Sequence, residues 1–82
     1  MSEREIKTNL KLSADFSDYV VKHPDIMRGV SSGSRIVFVM PSNPSLTEKN
    51  LKLAERIVQK EKRKVYKAVK TKNKWTVEPV LK

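Results

Sequence analysis

The first quarter of the chain carries apolar residues at the spacing of a helix. Between Ile6 and Val21 they recur every three or four positions, and charged residues take the opposite side. Ser2 and Glu5 have capping-box spacing, so the pattern predicts a helix that starts at Ser2. The proline after His23 restricts the His23 backbone and ends this helix. The apolar face centres on Ile6, Leu10, Ala14, Val20 and Val21, with Leu12, Phe16 and Tyr19 to one side.

An extended pattern follows the first helix. Residues 36–40 are apolar on both faces, which is typical of a buried strand of parallel type. A connector that contains two prolines leads to Ser45 and Glu48, whose spacing predicts a second capping box, and a helix continues to about residue 62. Asn50 lies within the apolar arc of this helix. Its amide needs a partner, which could be a nearby backbone group, a ligand or a second chain.

Two further strands, residues 64–70 and 75–80, complete a three-stranded mixed sheet. The strand–helix–strand unit crosses over with the right hand, which makes its two strands parallel and adjacent. The last strand pairs antiparallel in a hairpin, and Pro79 favours an edge position. The elements therefore predict one small α/β domain over residues 1–82, with the sheet packed against the N-terminal helix and the crossover helix.

The first strand lies at an open edge of this predicted sheet. An apolar edge without charged residues is a template for pairing with another chain unless something covers it. Either the N-terminal helix shields the edge, or a second copy of the chain pairs with it. Because a core of this size gains most from a partner, we expect a homodimer. The predicted dimer edge is Ile36, Val37, Phe38, Val39 and Met40.

Positive charge is concentrated late in the chain. The protein has 18 lysines and arginines against 9 acidic residues, a formal net charge of +9. The segment from Lys60 to Lys74 holds eight of these cations and one acid, which is +7. A cationic surface attracts polyanions, so we expect a binding module that contacts nucleic-acid phosphates without reading the base sequence. The alternative is a structural or regulatory protein–protein interaction module that acts as a homodimer or docks an acidic protein. The predicted contacts are Lys49, Lys52, Arg56, Lys60, Arg63, Lys67, Lys70, Lys72 and Lys74.

Tyr66 and Trp75 are interleaved with the lysines of the hairpin. Aromatic side chains beside cations can stack on single-stranded bases. The alternative is cross-strand packing, since the chain has one tryptophan, two tyrosines and two phenylalanines, and so small a core can hardly lack its largest side chain. The cations of the second helix also allow a structural interpretation, in which they form a solvated helix face and contact no ligand.

The composition argues against several classes of function. The chain has no cysteine and one histidine, so it offers no disulfide, thiolate metal site or histidine cluster. No nucleophile–base pair or cofactor fingerprint is visible, and we expect no enzyme activity, cofactor, metal or small-molecule substrate. The longest apolar run, residues 36–40, is too short to span a bilayer, and the N-terminus does not have the pattern of a signal peptide. We expect a soluble cytoplasmic protein.

Several short strings along the chain look like those of a known family. The strings are Asn9-Leu10, Phe16-Ser17, His23-Pro24, Ile36-Val37-Phe38, Asn50-Leu51-Lys52-Leu53-Ala54 and Val65-Tyr66. On these residues, and on the order of its elements, the chain resembles a family of short prokaryotic proteins of unknown function. The resemblance covers most of the chain and implies no activity, substrate or site residue.

Overall fold

Each helix and strand expected from the sequence pattern is present in the computed structural model, which describes residues 2–80. The helices are α1, Glu3–Lys22, and α2, Pro44–Arg56, and the strands are β1, Arg35–Val39, β2, Val65–Thr71, and β3, Lys74–Pro79. A 3-10 turn, Pro24–Met27, follows α1, and a π-helical turn, Ile57–Glu61, extends α2. The predicted fold class, a small α/β fold with two helices and a three-stranded mixed sheet, is confirmed.

Helix α1 begins at the predicted capping box. The Ser2 hydroxyl accepts a hydrogen bond from the Glu5 backbone N–H at 3.2 Å, and the Ser2 N–H donates to the Glu5 carboxylate at 3.0 Å. His23 ends the helix, and its N–H donates to the Tyr19 carbonyl at 2.8 Å. These bonds satisfy backbone groups that the ends of a helix otherwise leave without intrahelical partners.

Helix α2 begins at a different cap from the predicted one. The capping box at Ser45 and Glu48 is wrong, because Pro44 occupies the first turn of the helix and Asn43 precedes it as the cap. The Asn43 side-chain oxygen accepts a hydrogen bond from the Leu46 N–H at 3.3 Å. Proline has no N–H that needs a partner, and its φ suits the first helical turn. The helix therefore starts earlier than the serine and glutamate pattern indicates.

The three strands lie in the order β1-β2-β3, with β1 parallel to β2 and β2 antiparallel to β3. Arg35 pairs with Val65 at one end of the sheet. At the other end Lys72 and Asn73 connect β2 to β3, and Lys72 takes a left-handed conformation with φ 50°. Pro79 lies on the edge strand β3 as predicted, because a residue without an N–H cannot donate in the interior of a sheet.

Two groups of buried residues lie on opposite faces of the sheet, since alternate side chains of a strand point to opposite sides. The first group, which packs with α1, is Leu12, Phe16, Leu46, Ala68 and Trp75. The second, which packs with the end of α2, is Val37, Ala54, Ile57 and Val65. The resulting fold is flat, with Cα extents of 32 × 29 × 17 Å.

Helix α1 turns a different side to the sheet from the one its apolar pattern indicates. Phe16 is 6% exposed, whereas Ile6, Leu10 and Val21 are 51%, 65% and 81% exposed. Most of the expected centre of the apolar face therefore points away from the core, whereas Val20, which also belongs to it, packs against the core. The reason lies in the aromatic packing. The Phe16 and Trp75 rings meet edge to face with centroids 5.1 Å apart, and aromatic rings bury more apolar surface than the aliphatic side chains that stay outside.

Candidate nucleic-acid interface

The run of cations after α2 forms one corner of the molecule. The π-helical turn holds the exposed Lys60, and Lys62 then ends the helix in a left-handed conformation with φ 51° and ψ 34°. Beside this junction the Arg35 N–H donates to the Lys64 carbonyl at 3.0 Å, which joins the start of β1 to the start of β2. We refer to the exposed cations gathered here as the basic corner: Arg35, Lys60, Lys62, Arg63 and Lys64.

One carboxylate lies within the basic corner. Glu61 Oε1 is 3.6 Å from Arg35 Nη1 and 3.8 Å from Arg63 Nε. All three side chains are close to half exposed, so water screens both ion pairs and each contributes little to stability. Five cations and one acid leave a local charge of +4, which makes the corner attractive to anions.

A cleft of about 470 Å³ opens beside the basic corner, at the end of the sheet where β2 begins and β3 ends. Its lining combines apolar, aromatic and cationic side chains, among them Val58, Val65, Val80, Tyr66, Lys62 and Arg63. The Val80 N–H donates to the Val65 carbonyl at 2.8 Å and so continues the β2–β3 pairing under the cleft. Such a lining can accept a partly apolar group that carries negative charge.

Two of the predicted phosphate contacts on α2 are paired with carboxylates. Lys49 Nζ lies 2.9 Å from Glu5 Oε1, and Lys52 Nζ lies 3.1 Å from Glu48 Oε1. The hydrogen bond from the Ser2 backbone N–H, followed by the one from Lys49, lowers the pKa of Glu5 to about 2. This carboxylate is therefore ionised at neutral pH, and it links the start of α1 to α2.

Two lysines of β2 are paired as well, on opposite faces of the sheet. Lys67 Nζ lies 3.5 Å from Glu78 Oε2, which belongs to the neighbouring position on β3. Lys70 Nζ lies 2.6 Å from Asp15 Oδ2 on α1. Because their side chains point to opposite sides of β2, these two lysines cannot share one flat surface.

The nine predicted contacts therefore fall into separate groups. Lys60 and Arg63 belong to the basic corner, and Arg56 lies at the end of α2 just before it. Lys72 and Lys74 are exposed at the hairpin, roughly 20 Å away along the length of β2. Since Lys67 and Lys70 lie on opposite faces of β2, the nine residues do not share one continuous flat surface.

Sequence reasoning missed three members of the basic corner. Lys62 and Lys64 fall outside the predicted stripe because that stripe follows the α-helical period, whereas the helix changes to a π-turn and ends. Arg35 is distant in sequence. The signal that could have found it is the parallel register, which places the first residue of β1 beside the first residue of β2.

Trp75 is a core residue. It is 4% exposed, and its ring meets Phe16 and Phe38 edge to face. Its indole N–H donates to Asp15 Oδ2 at 3.1 Å. The hydrogen bonds from Lys70 and from Trp75 hold the pKa of Asp15 below its usual range. The sequence allows two interpretations of Trp75, stacking on bases or packing within the fold. Its burial supports packing.

The predicted dimer edge, Ile36–Met40, is bonded in part by side chains of α2. Strand β1 is an edge strand, as expected. The Asn50 side-chain amide donates to the Phe38 carbonyl at 2.9 Å. The Met40 N–H donates to the Thr47 hydroxyl at 2.9 Å, and that hydroxyl lies at the same distance from the Met40 carbonyl. Pairing of this edge with a second copy stays a prediction.

A metal site requires a group of ligating side chains, and membrane insertion requires a long apolar helix. Across residues 2–80, no three histidine or acidic side chains come together in a group that could hold a metal ion. In the same range, neither helix combines the length and the apolar character needed to cross a bilayer.

By its fold and its basic corner, the molecule is a small α/β protein with a three-stranded mixed sheet and a strongly cationic corner. Residues 5–80 match the family described as a family of unknown function, DUF5647, and the chain belongs to that family. The resemblance seen in the short strings, to a family without an assigned function, is confirmed. Comparison with curated proteins finds no match, and neither does comparison with solved structures.

Proposed function

We propose that this protein binds nucleic acid at the basic corner, through the phosphates and without reading the base sequence. The observation that carries the proposal is the local excess of charge, since the basic corner holds five exposed cations and one carboxylate, Glu61, which pairs with two of them. Like charges gathered on one corner repel one another. A row of phosphates relieves that repulsion, and the polyanion gains the entropy of the counterions it releases.

The proposed contact region is smaller than the one expected from the sequence. Lys49 and Lys52 each have a carboxylate partner within 3.1 Å, so part of their charge is already satisfied. The hairpin lysines lie roughly 20 Å from the corner, which is more than two Debye lengths at physiological salt. A phosphate bound at the corner is therefore affected little by the hairpin.

A salt titration tests the proposal. A labelled single-stranded RNA and a duplex DNA, each of about 20 residues per strand, are titrated with the protein from about 50 to 200 mM salt. If Lys60, Lys62, Arg63 and Lys64 each neutralise one phosphate, log affinity falls against log salt with a slope of about −3.6 for the duplex and about −2.8 for the single strand. Poly-glutamate serves as the competitor that carries charge without phosphate.

Two double variants with the same net charge locate the contact. Lys60→Glu/Lys64→Glu changes the basic corner, and Lys72→Glu/Lys74→Glu changes the hairpin by the same four charges. All four side chains are exposed, so the fold should persist in both variants. We expect the first variant to lose affinity by at least about tenfold and its salt slope to fall by about 2, and the second to change affinity by less than about threefold.

Three results would overturn the proposal. The first is the absence of binding to either nucleic acid at about 50 mM salt. The second is an equal loss of affinity in the two variants, which would mean that net charge alone governs binding. The third is displacement of the RNA by poly-glutamate at equal charge concentration, which would favour an acidic protein as the partner.

A further inference from the structure

Helix α1 carries a second apolar surface that faces away from the sheet. Ile6, Leu10 and Val21 are each more than half exposed, and small exposed side chains lie between them. At the α-helical period these residues occupy roughly 100° of the helix circumference. We refer to this surface as the outer stripe: Ile6, Leu10, Ser13, Ala14, Ser17 and Val21. Apolar residues this exposed and this contiguous indicate an interaction surface.

The charges of α1 identify the kind of partner. The helix is electrically neutral, with four cations and four acids: Arg4, Lys7, Lys11 and Lys22 against Glu3, Glu5, Asp15 and Asp18. The net charge of +9 therefore resides outside α1. A helix that lies on a membrane is usually rich in lysine and arginine on its polar face, which α1 is not. Beside Ile6, the α2 cations Lys49 and Lys52 are already paired with carboxylates, so an acidic protein would be drawn to the basic corner instead.

A second copy of the same helix fits these properties. Two chains of the same high charge repel each other least where each presents a neutral surface. The outer stripe is also suited to pair with itself, because large side chains lie at both of its ends and serine and alanine lie in its middle. Antiparallel packing about a two-fold axis sets the large residues at one end against those at the other and lets the two backbones approach at the centre.

We infer that two copies of this chain associate through antiparallel packing of their α1 helices, with the two-fold axis near Ala14. In this arrangement Ile6 and Leu10 of one chain lie against the partner's Val21. Lys11 and Asp18 share one flank of the outer stripe, and antiparallel packing brings like flanks together. Each Lys11 therefore faces the partner's Asp18, which fixes the direction of pairing. This surface differs from the β1 edge, where Asn50 and Thr47 already bond to the strand.

Measurement of self-association tests the inference. Sedimentation equilibrium from about 10 μM to 1 mM covers the range expected for an interface smaller than the standard size. We expect a monomer–dimer equilibrium that strengthens as salt is raised, because salt screens the repulsion between two positively charged chains. Nucleic-acid binding at the basic corner responds to salt in the opposite direction, so the two proposals fail independently.

Variants of the outer stripe identify the surface. Leu10→Gln/Val21→Gln replaces two exposed apolar residues with polar ones, and we expect dimerisation to weaken by at least about tenfold while the circular dichroism spectrum is unchanged. Thr76→Gln, at an exposed position of β3, is the control and should leave the equilibrium unchanged.

Cysteine cross-linking fixes the orientation, and the absence of natural cysteines makes the result clear. Ala14→Cys should form a disulfide-linked dimer on oxidation because the two-fold axis brings the two copies of this residue together. Ile6→Cys alone should not cross-link, but a mixture of the Ile6→Cys and Val21→Cys chains should.

Several results would overturn the inference. These are a monomer at about 1 mM, a dimer unaffected by the glutamine substitutions, cross-linking of Ile6→Cys with itself, and binding to anionic vesicles by a chain that stays monomeric.

Discussion

Replacement of Asn50 by alanine is expected to destabilise the fold by about 2–4 kcal/mol. Asn50 is 2% exposed and is the one buried polar residue of the described chain. Its amide nitrogen donates to the Asn9 side-chain oxygen and to the Phe38 carbonyl, each at 2.9 Å. Its oxygen accepts from the Asn9 amide at 3.2 Å. One side chain thereby joins α2 to α1 and to the free edge of β1.

The magnitude follows from these three bonds. Each contributes about 1 kcal/mol net, and a buried group that loses its partner costs about 1–3 kcal/mol. The higher helix propensity of alanine and the entry of water each recover part of the loss. A chain of this length has a total stability of roughly 4–12 kcal/mol. The substitution therefore removes a large share of it and lowers the melting temperature by roughly 10–25 °C.

Urea denaturation followed by the fluorescence of Trp75, the only tryptophan, measures the change directly. Asn50→Asp controls for packing, because it keeps the volume of the side chain and removes both donated bonds, and we expect at least as large a loss. Asn9→Ala keeps the bond to Phe38 and should cost less, about 1–2 kcal/mol. The double variant Asn9→Ala/Asn50→Ala should cost less than the sum of the single changes, because the bonds between the two side chains are counted twice.

Two outcomes would refute this reasoning. A loss below about 1 kcal/mol in Asn50→Ala would mean that the amide does not hold α2 against the edge of the sheet. Additive effects in the double variant would mean that Asn9 and Asn50 do not stabilise each other.

Two further predictions concern carboxylates and the cap of α2. The pKa values of Glu5 and Asp15 are lowered in the folded protein, so the unfolded chain binds more protons below about pH 4.5. The free energy of unfolding should therefore fall toward pH 2. Asp15→Asn should make that fall smaller, as measured by urea titrations at a series of pH values. Asn43→Ala should cost about 1 kcal/mol by loss of the helix cap, whereas Ser45→Ala should change stability by less than about 0.5 kcal/mol. A larger cost at Ser45 than at Asn43 would contradict the observed start of α2.

The helices and strands could be predicted because their signals are local. The Ser2 capping box needs only four neighbouring residues, and the apolar run of β1 needs only five. The parallel pairing of β1 with β2 follows from the right-handed crossover, which depends on chain chirality. The start of α2 also depends on neighbouring residues. Pro44 and the pattern of Ser45 with Glu48 indicate different first residues, and the helix starts at Pro44 because proline constrains the backbone more strongly.

The candidate site could be predicted only in part, because charge clustering depends on where the chain turns. Lys60 and Arg63 were expected as contacts and lie in the basic corner. Lys62 lies in the same corner because the helix ends there in a left-handed conformation, and Arg35 lies there because of the register of β1 with β2. A helical projection includes neither feature. The sequence predicts Lys70 as a phosphate contact, and the structure pairs it with Asp15, whose place on α1 is set by packing between layers.

The amino-acid sequence by itself determined the order and type of the elements, the edge position of β3 and the strongly positive charge, because backbone preference, periodicity and composition act over a few residues at a time. Only the tertiary structure decided which side of α1 is buried. Several of its faces are apolar enough to pack, and the aromatic contacts of Phe16 with the sheet select one of them. That choice leaves Leu10 and Val21 exposed and sets Asn50 against the edge of β1, because side chains far apart in sequence must fill one common space.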